Sequence, residues 1–184
     1  PNRYPNNDWW NLTLRKFAPQ TQHNINVQGG TEKVKYFVSG GYFYQEAMPR
    51  ANDTKYKKYN LRSNLDVALS RKLKMNVDIA LQYQDYIGPL FQMERSSNAD
   101  GNKAGIMGKI YRHPPFGPSA DQYPDPNILT SYPGADINPV IYSEMDNGGY
   151  KSWNTMTGDL KFSFSYQLPL GLEAKANYRL YRRY

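Results

Sequence analysis

His23 and His113 are the two histidines of this chain, and neither stands where imidazole chemistry needs it. His23 lies beside the start of an extended segment, and His113 abuts Pro114 and Pro115. No serine or further ligand occurs at a spacing that would give a nucleophile–base pair or a metal centre. Both read as structural. Cysteine is absent, which excludes disulfides, thiolate catalysis and cysteine-containing zinc sites. Asp121, Asp125 and Asp136, with nearby carbonyls, could hold Ca²⁺, but they lack the pattern of an EF-hand loop, and no metal is expected. These residues point away from an enzyme and away from any cofactor.

Recognition is the chemistry that remains. Trp9 and Trp10, with Tyr123 and Tyr132, are the best candidates for contact with a ligand. A sugar ring presents C–H faces that pack on aromatic planes, while Asp, Asn and Arg satisfy its hydroxyls. The same aromatics could equally pack a loop or touch a partner protein. The formal charge of +7 is scattered over Lys55, Lys57 and Lys58, over Arg71, Lys72 and Lys74, and over Arg179, Arg182 and Arg183. Nucleic-acid modules concentrate charge on one element, and no such motif occurs, so no nucleic-acid partner is expected.

The elements that must position these residues are extended. Along 59–70, Tyr59, Leu61, Ser63, Leu65, Val67 and Leu69 alternate with Asn60, Arg62, Asn64, Asp66, Ala68 and Ser70. Met75, Val77, Ile79, Leu81 and Tyr83 repeat the alternation against Asn76, Asp78, Ala80 and Gln82. Period two puts the two sets on opposite faces of a sheet. Further strands are expected at about 22–30, 34–46 and 153–167, with a sixth from 172. Thr31 to Lys33, Arg71 to Lys74 and Leu168 to Gly171 form tight turns, whereas 1–20, 47–57 and 88–150 are long connections. Asp8 is expected to cap a short helix reaching Phe17, and a second helix is expected around Ala104 to Tyr111. The proline-rich remainder of 88–150 should be irregular.

Such short-then-long connections belong to a transmembrane β-barrel, with periplasmic turns and extracellular loops. A soluble sandwich also alternates, but Tyr59 to Leu69 spans roughly 33 Å, which at about 40° tilt covers about 25 Å of height, the size of a barrel's apolar band. Tyrosines cluster at strand ends (Tyr42, Tyr44, Tyr59, Tyr83, Tyr166), as an interfacial girdle requires. The composition agrees, with 17 Tyr, 7 Phe and 3 Trp against a mean hydropathy of −0.81, because half of each strand faces a polar lumen. No apolar run reaches the length of a membrane helix. The polar face would carry Arg62, Asn64, Asp66, Asp78, Asp159 and Lys161 toward the lumen, where Arg62, Asp66 and Asp78 would pair with one another or with whatever fills it. The chain begins without a signal peptide and stops within a strand, as a piece of a longer protein would.

Specific strings sharpen the reading. Tyr4-Pro5-Asn6-Asn7-Asp8-Trp9 precedes His23-Asn24-Ile25-Asn26-Val27-Gln28-Gly29-Gly30-Thr31-Glu32-Lys33. Tyr36-Phe37-Val38-Ser39, Gln45-Glu46 and Tyr59-Asn60-Leu61-Arg62-Ser63-Asn64-Leu65-Asp66 follow, then Arg112-His113-Pro114-Pro115 and Asn138-Pro139. The series closely resembles the early barrel region of SusC/RagA-like TonB-dependent transporters, over nearly the whole chain. Ala47 departs from the glycine that commonly follows Gln-Glu there. The resemblance implies an all-β fold, about six antiparallel strands of a plugged barrel of about 22, with short helices in long extracellular loops. Residues 1–184 would then be a partial barrel domain in a bacterial outer membrane, with the plug, the TonB-contacting segment and other strands outside it. It further implies active import of oligosaccharides, or of peptides, powered by TonB-ExbB-ExbD, with a SusD-like surface lipoprotein as lid and outer-membrane lipid around the wall. A soluble β-rich carbohydrate-binding or adhesive domain is the alternative from another class.

Overall fold

The computed structural model describes residues 6–51, 54–89, 105–112, 115, 139–143 and 149–184. His113, Asp121, Tyr123, Asp125, Tyr132 and Asp136 lie outside the described residues. Six strands form one sheet in the order of the chain: β1 Gln20–Gly30, β2 Val34–Glu46, β3 Lys55–Ala68, β4 Leu73–Pro89, β5 Tyr150–Gln167 and β6 Glu173–Arg183. Among the described residues, three short helices accompany them, α1 Trp9–Thr13, α2 Ile106–Arg112 and α3 Pro139–Ser143. The chain divides into two compact units. One comprises Gln20–Tyr44, Tyr56–Asp85 and Asn154–Tyr184, and the other Pro1–Pro19, Gln45–Lys55 and Tyr86–Trp153.

In the sheet unit, each tight turn is closed by its own sequence. At β1–β2 the Thr31 hydroxyl accepts from the Lys33 and Val34 amides, and the Thr31 amide donates to the Val34 carbonyl. Gly30 has φ +153, and a Cβ there would lie 2.3 Å from the Val34 carbonyl oxygen, so only glycine fits. Ser70 repeats the hydroxyl arrangement at β3–β4, accepting from the Lys72 and Leu73 amides. At β5–β6, Leu168 donates to Leu172 across a turn in which Leu170 takes φ 64 and Gly171 φ 76. Backbone bonds from Ala68 to Lys33 and from Gln167 to Lys72 then join neighbouring turns, so all three lie along one end of the sheet.

The strands run longer than the sequence suggests. β1 starts at Gln20, β3 at Lys55 and β5 at Tyr150, while β4 continues to Pro89. Regular backbone pairing thus extends past the alternating segments into polar ones. The apolar parity stays exposed: Ile25, Leu61, Leu81, Met156, Phe164 and Leu180 all remain open on the sheet. A water-soluble sheet would bury this face.

In the other unit, Trp9, Leu14, Ile106 and Ile110 form a small buried core, with Met48, Met107 and Val140 packed on it. The first helix is shorter than expected and stops at Thr13. Leu14 is extended (φ −112, ψ 145) and pairs with Pro49, while Arg50 donates to the Thr13 carbonyl and Arg15 to that of Met48. Strand-like pairing therefore replaces the next helical turn, and Phe17, expected on the helix, is 85% exposed. α3 starts with Pro139 where irregular chain was expected; proline suits a first helical position, where its missing N–H is no loss.

Candidate functional site

The polar face of the sheet carries most of the residues that sequence reasoning assigned to a lumen. Asn64 donates to Asp78 at 2.5 Å and Asn76 donates to Asp66 at 2.7 Å, two cross-strand pairs between β3 and β4. The two carboxylates thus find asparagine partners within this chain rather than Arg62, which is exposed. On β5–β6 the register sets Lys161 opposite Arg179. Like charges facing each other destabilise a sheet. Asp159 offsets this by accepting from Arg179 Nε at 2.8 Å and again from Nη2. Asp159 and Lys161 therefore act as one group with Arg179, a partner the sequence reading did not single out.

Further along the same face, Gly41 opens a niche. A Cβ at that position would sit 2.5 Å from Asn60 Oδ1 and 2.7 Å from Asn24 Oδ1, so both carboxamides lean over the bare backbone of β2. Phe43 and Tyr56 stand beside them edge to face, with centroids 6.0 Å apart. Gln22 and Lys58 complete a concavity of about 310 Å³. A wider cavity of about 510 Å³ near the turns is lined by both lysines and carboxylates, among them Lys35, Lys74, Asp66 and Glu173.

The opposite face carries a row of rings. His23 stacks on Tyr42 (6.3 Å, 10°), Tyr42 meets Tyr59 at 5.1 Å, and Tyr59 meets Tyr83 at 6.2 Å. The tyrosines were expected at strand ends, but β3 starts at Lys55 and β4 runs on to Pro89, so Tyr59 and Tyr83 lie inside their strands. The part played by His23 was not legible in the sequence, because only the β1–β2 register brings its ring to Tyr42.

In the loop unit the two tryptophans part company. Asp8 caps α1, its carboxylate accepting from the Asn11 amide and side chain, and those bonds hold its pKa below the ordinary carboxylate value. The short helix then turns Trp9 into the core at 4% exposure and leaves Trp10 45% exposed. Trp10 lies 6.3 Å from the exposed ring of Tyr111, tilted by 53°. Of the pair, only Trp10 offers an open ring. Arg15 braces this unit, donating through Nε and Nη2 to the Ala47 carbonyl and pairing with Glu46 at 2.8 Å. Among the described residues, no three His, Asp or Glu side chains converge as a metal site requires.

No family model matches the chain. It is 40% identical over 85 residues to the TonB-dependent receptor P26 of Formosa agariphila, a match covering 46% of this chain and 8% of that protein. The structure of the RagAB peptide importer in its closed-closed state superposes over 97% of this chain with a TM-score of 0.66 and 20% identity. That of the RagAB peptide transporter does so over 97% with a TM-score of 0.62 and 19% identity. The chain spans 19% of each of those solved chains. Part of its sequence thus resembles a TonB-dependent receptor, and its fold resembles a section of the RagAB transporter.

Proposed function

We propose that this chain is a section of the wall and outer loops of a TonB-dependent transporter that imports large nutrients, oligosaccharides foremost, across a bacterial outer membrane. One observation carries the reading. The sheet leaves its apolar face open, bounded by the row His23, Tyr42, Tyr59 and Tyr83, and turns its charged and amide residues to the other side. That is the division a barrel wall needs, with lipid and an aromatic belt outside and a polar lumen inside. A soluble carbohydrate-binding sheet would need a second layer over Ile25, Leu61 and Phe164. In this reading the three tight turns are periplasmic, and 1–20, 47–57 and 88–150 are extracellular. There a SusD-like lipoprotein would close over Trp10 and Tyr111, and TonB-ExbB-ExbD would act through a plug outside this chain. Peptide import is the alternative substrate class, supported by what the RagAB neighbours carry.

Energised uptake by the full-length transporter tests the proposal. Cells expressing it should accumulate a labelled oligosaccharide or peptide, and accumulation should cease when TonB is deleted or the proton motive force collapsed. Uptake that survives both treatments would make this a passive pore, and the energised reading would fail.

A further inference from the structure

The concavity over Gly41 has a composition that the barrel wall does not require. Three carboxamides (Gln22, Asn24 and Asn60), one aromatic pair (Phe43 and Tyr56), one ammonium (Lys58) and part of Tyr42 line it, with no carboxylate among the described residues. Lys58 is half-buried, unlike the turn lysines, so its charge is held beside the niche with no acidic residue among the described lining groups. The wider cavity near the turns differs on this point, because its lysines share the lining with Glu32, Asp66 and Glu173.

Resting on the import reading above, we infer that this niche is a subsite for one acidic sugar ring, a uronate or sulfated residue of the imported chain. Each carboxamide both donates and accepts, as each sugar hydroxyl does, so three of them can serve a hydroxyl rim in more than one orientation. The ring pair offers an apolar surface for the C–H face of a pyranose. Lys58 supplies the charge that a carboxylate or sulfate seeks. The volume falls at the small end of ligand pockets, roughly 300–1,000 Å³, which suits a short piece of a longer chain. A peptide fits less well. An extended peptide gains its main-chain bonds at a sheet edge, whereas this niche lies on the face of β1, β2 and β3, whose backbone groups pair with one another. Gly41 is the floor: a side chain there would push aside both Asn24 and Asn60.

The test uses the purified full-length transporter in detergent on an array of uronate, sulfated and neutral oligosaccharides and of peptides. Wild-type protein should retain acidic glycans above neutral ones. Lys58→Gln should weaken that retention about tenfold or more, the size of a lost hydrogen bond to a charged group, and bring acidic and neutral glycans level. Gly41→Ala should weaken retention without levelling the two, since it displaces the amides and leaves the charge. Both variants should keep heat-modifiable gel mobility. Retention of neutral glycans or peptides alone, or acidic binding untouched by either variant, overturns the subsite. Those outcomes leave the import reading standing, because energised uptake is measured separately in cells.

Discussion

Leu65→Arg places a guanidinium on the apolar face of β3, and the ring row sets the depth at which it lands. Tyr59 marks the row on this strand. Leu65 is six residues further on, about 20 Å along a strand rising about 3.3 Å per residue. At about 40° tilt that is about 15 Å of depth, close to the middle of an apolar band about 25 Å tall. By the same arithmetic Leu61 lies about 5 Å below the row and Leu69 about 25 Å below it, at the far boundary. Arginine at the midplane of a barrel wall costs about 2–4 kcal/mol, falling to about 0–1 near the interfaces. Leu65→Arg should therefore shift the folding equilibrium about 30- to 700-fold, with smaller effects for Leu61→Arg and Leu69→Arg. Asn64→Arg, on the polar face, should fall well short of Leu65→Arg, although it also loses the bond to Asp78. Folding of the full-length protein into lipid vesicles across a urea series, scored by the heat-modifiable fraction, measures all four. A flat profile along Leu61, Leu65 and Leu69, or a cost at Asn64 equal to that at Leu65, would refute the assignment of the faces.

Two further outcomes are expected. Trp10→Ala should leave the folded barrel at normal abundance yet lower growth on the transported nutrient, whereas Trp9→Ala should cost about 3–5 kcal/mol of packing in the loop unit and show as faster proteolysis there; normal growth of the Trp10 variant would assign its ring to loop packing. A cysteine introduced at Lys72, free of background because this stretch has none of its own, should resist a membrane-impermeant reagent on intact cells and react once the outer membrane is opened, and labelling of intact cells would invert the topology.

The sequence alone determined the alternating stretches of the strands, the hairpin connections between them and the cap, though not where the strands end. Alternation of apolar and polar residues is written residue by residue, so the two faces of β3 and β4 could be read without knowing what lay beside them. Thr31, Ser70 and Asp8 act on amides two or three residues away, so their roles were equally local. The tertiary structure alone decided everything that depends on register or on distant chain. The pairing of Asn64 with Asp78 and the entry of His23 into the ring row follow from which residues come opposite one another. The niche over Gly41 draws on three strands at once. The early stop of α1 was set by Pro49 and Arg50, a loop away in sequence. Trp9 and Trp10 are the same residue type in adjacent positions, so composition could not separate them. Their difference arises because successive residues on a helix point about a quarter-turn apart, and α2 and the rest of the loop core cover only one of those directions.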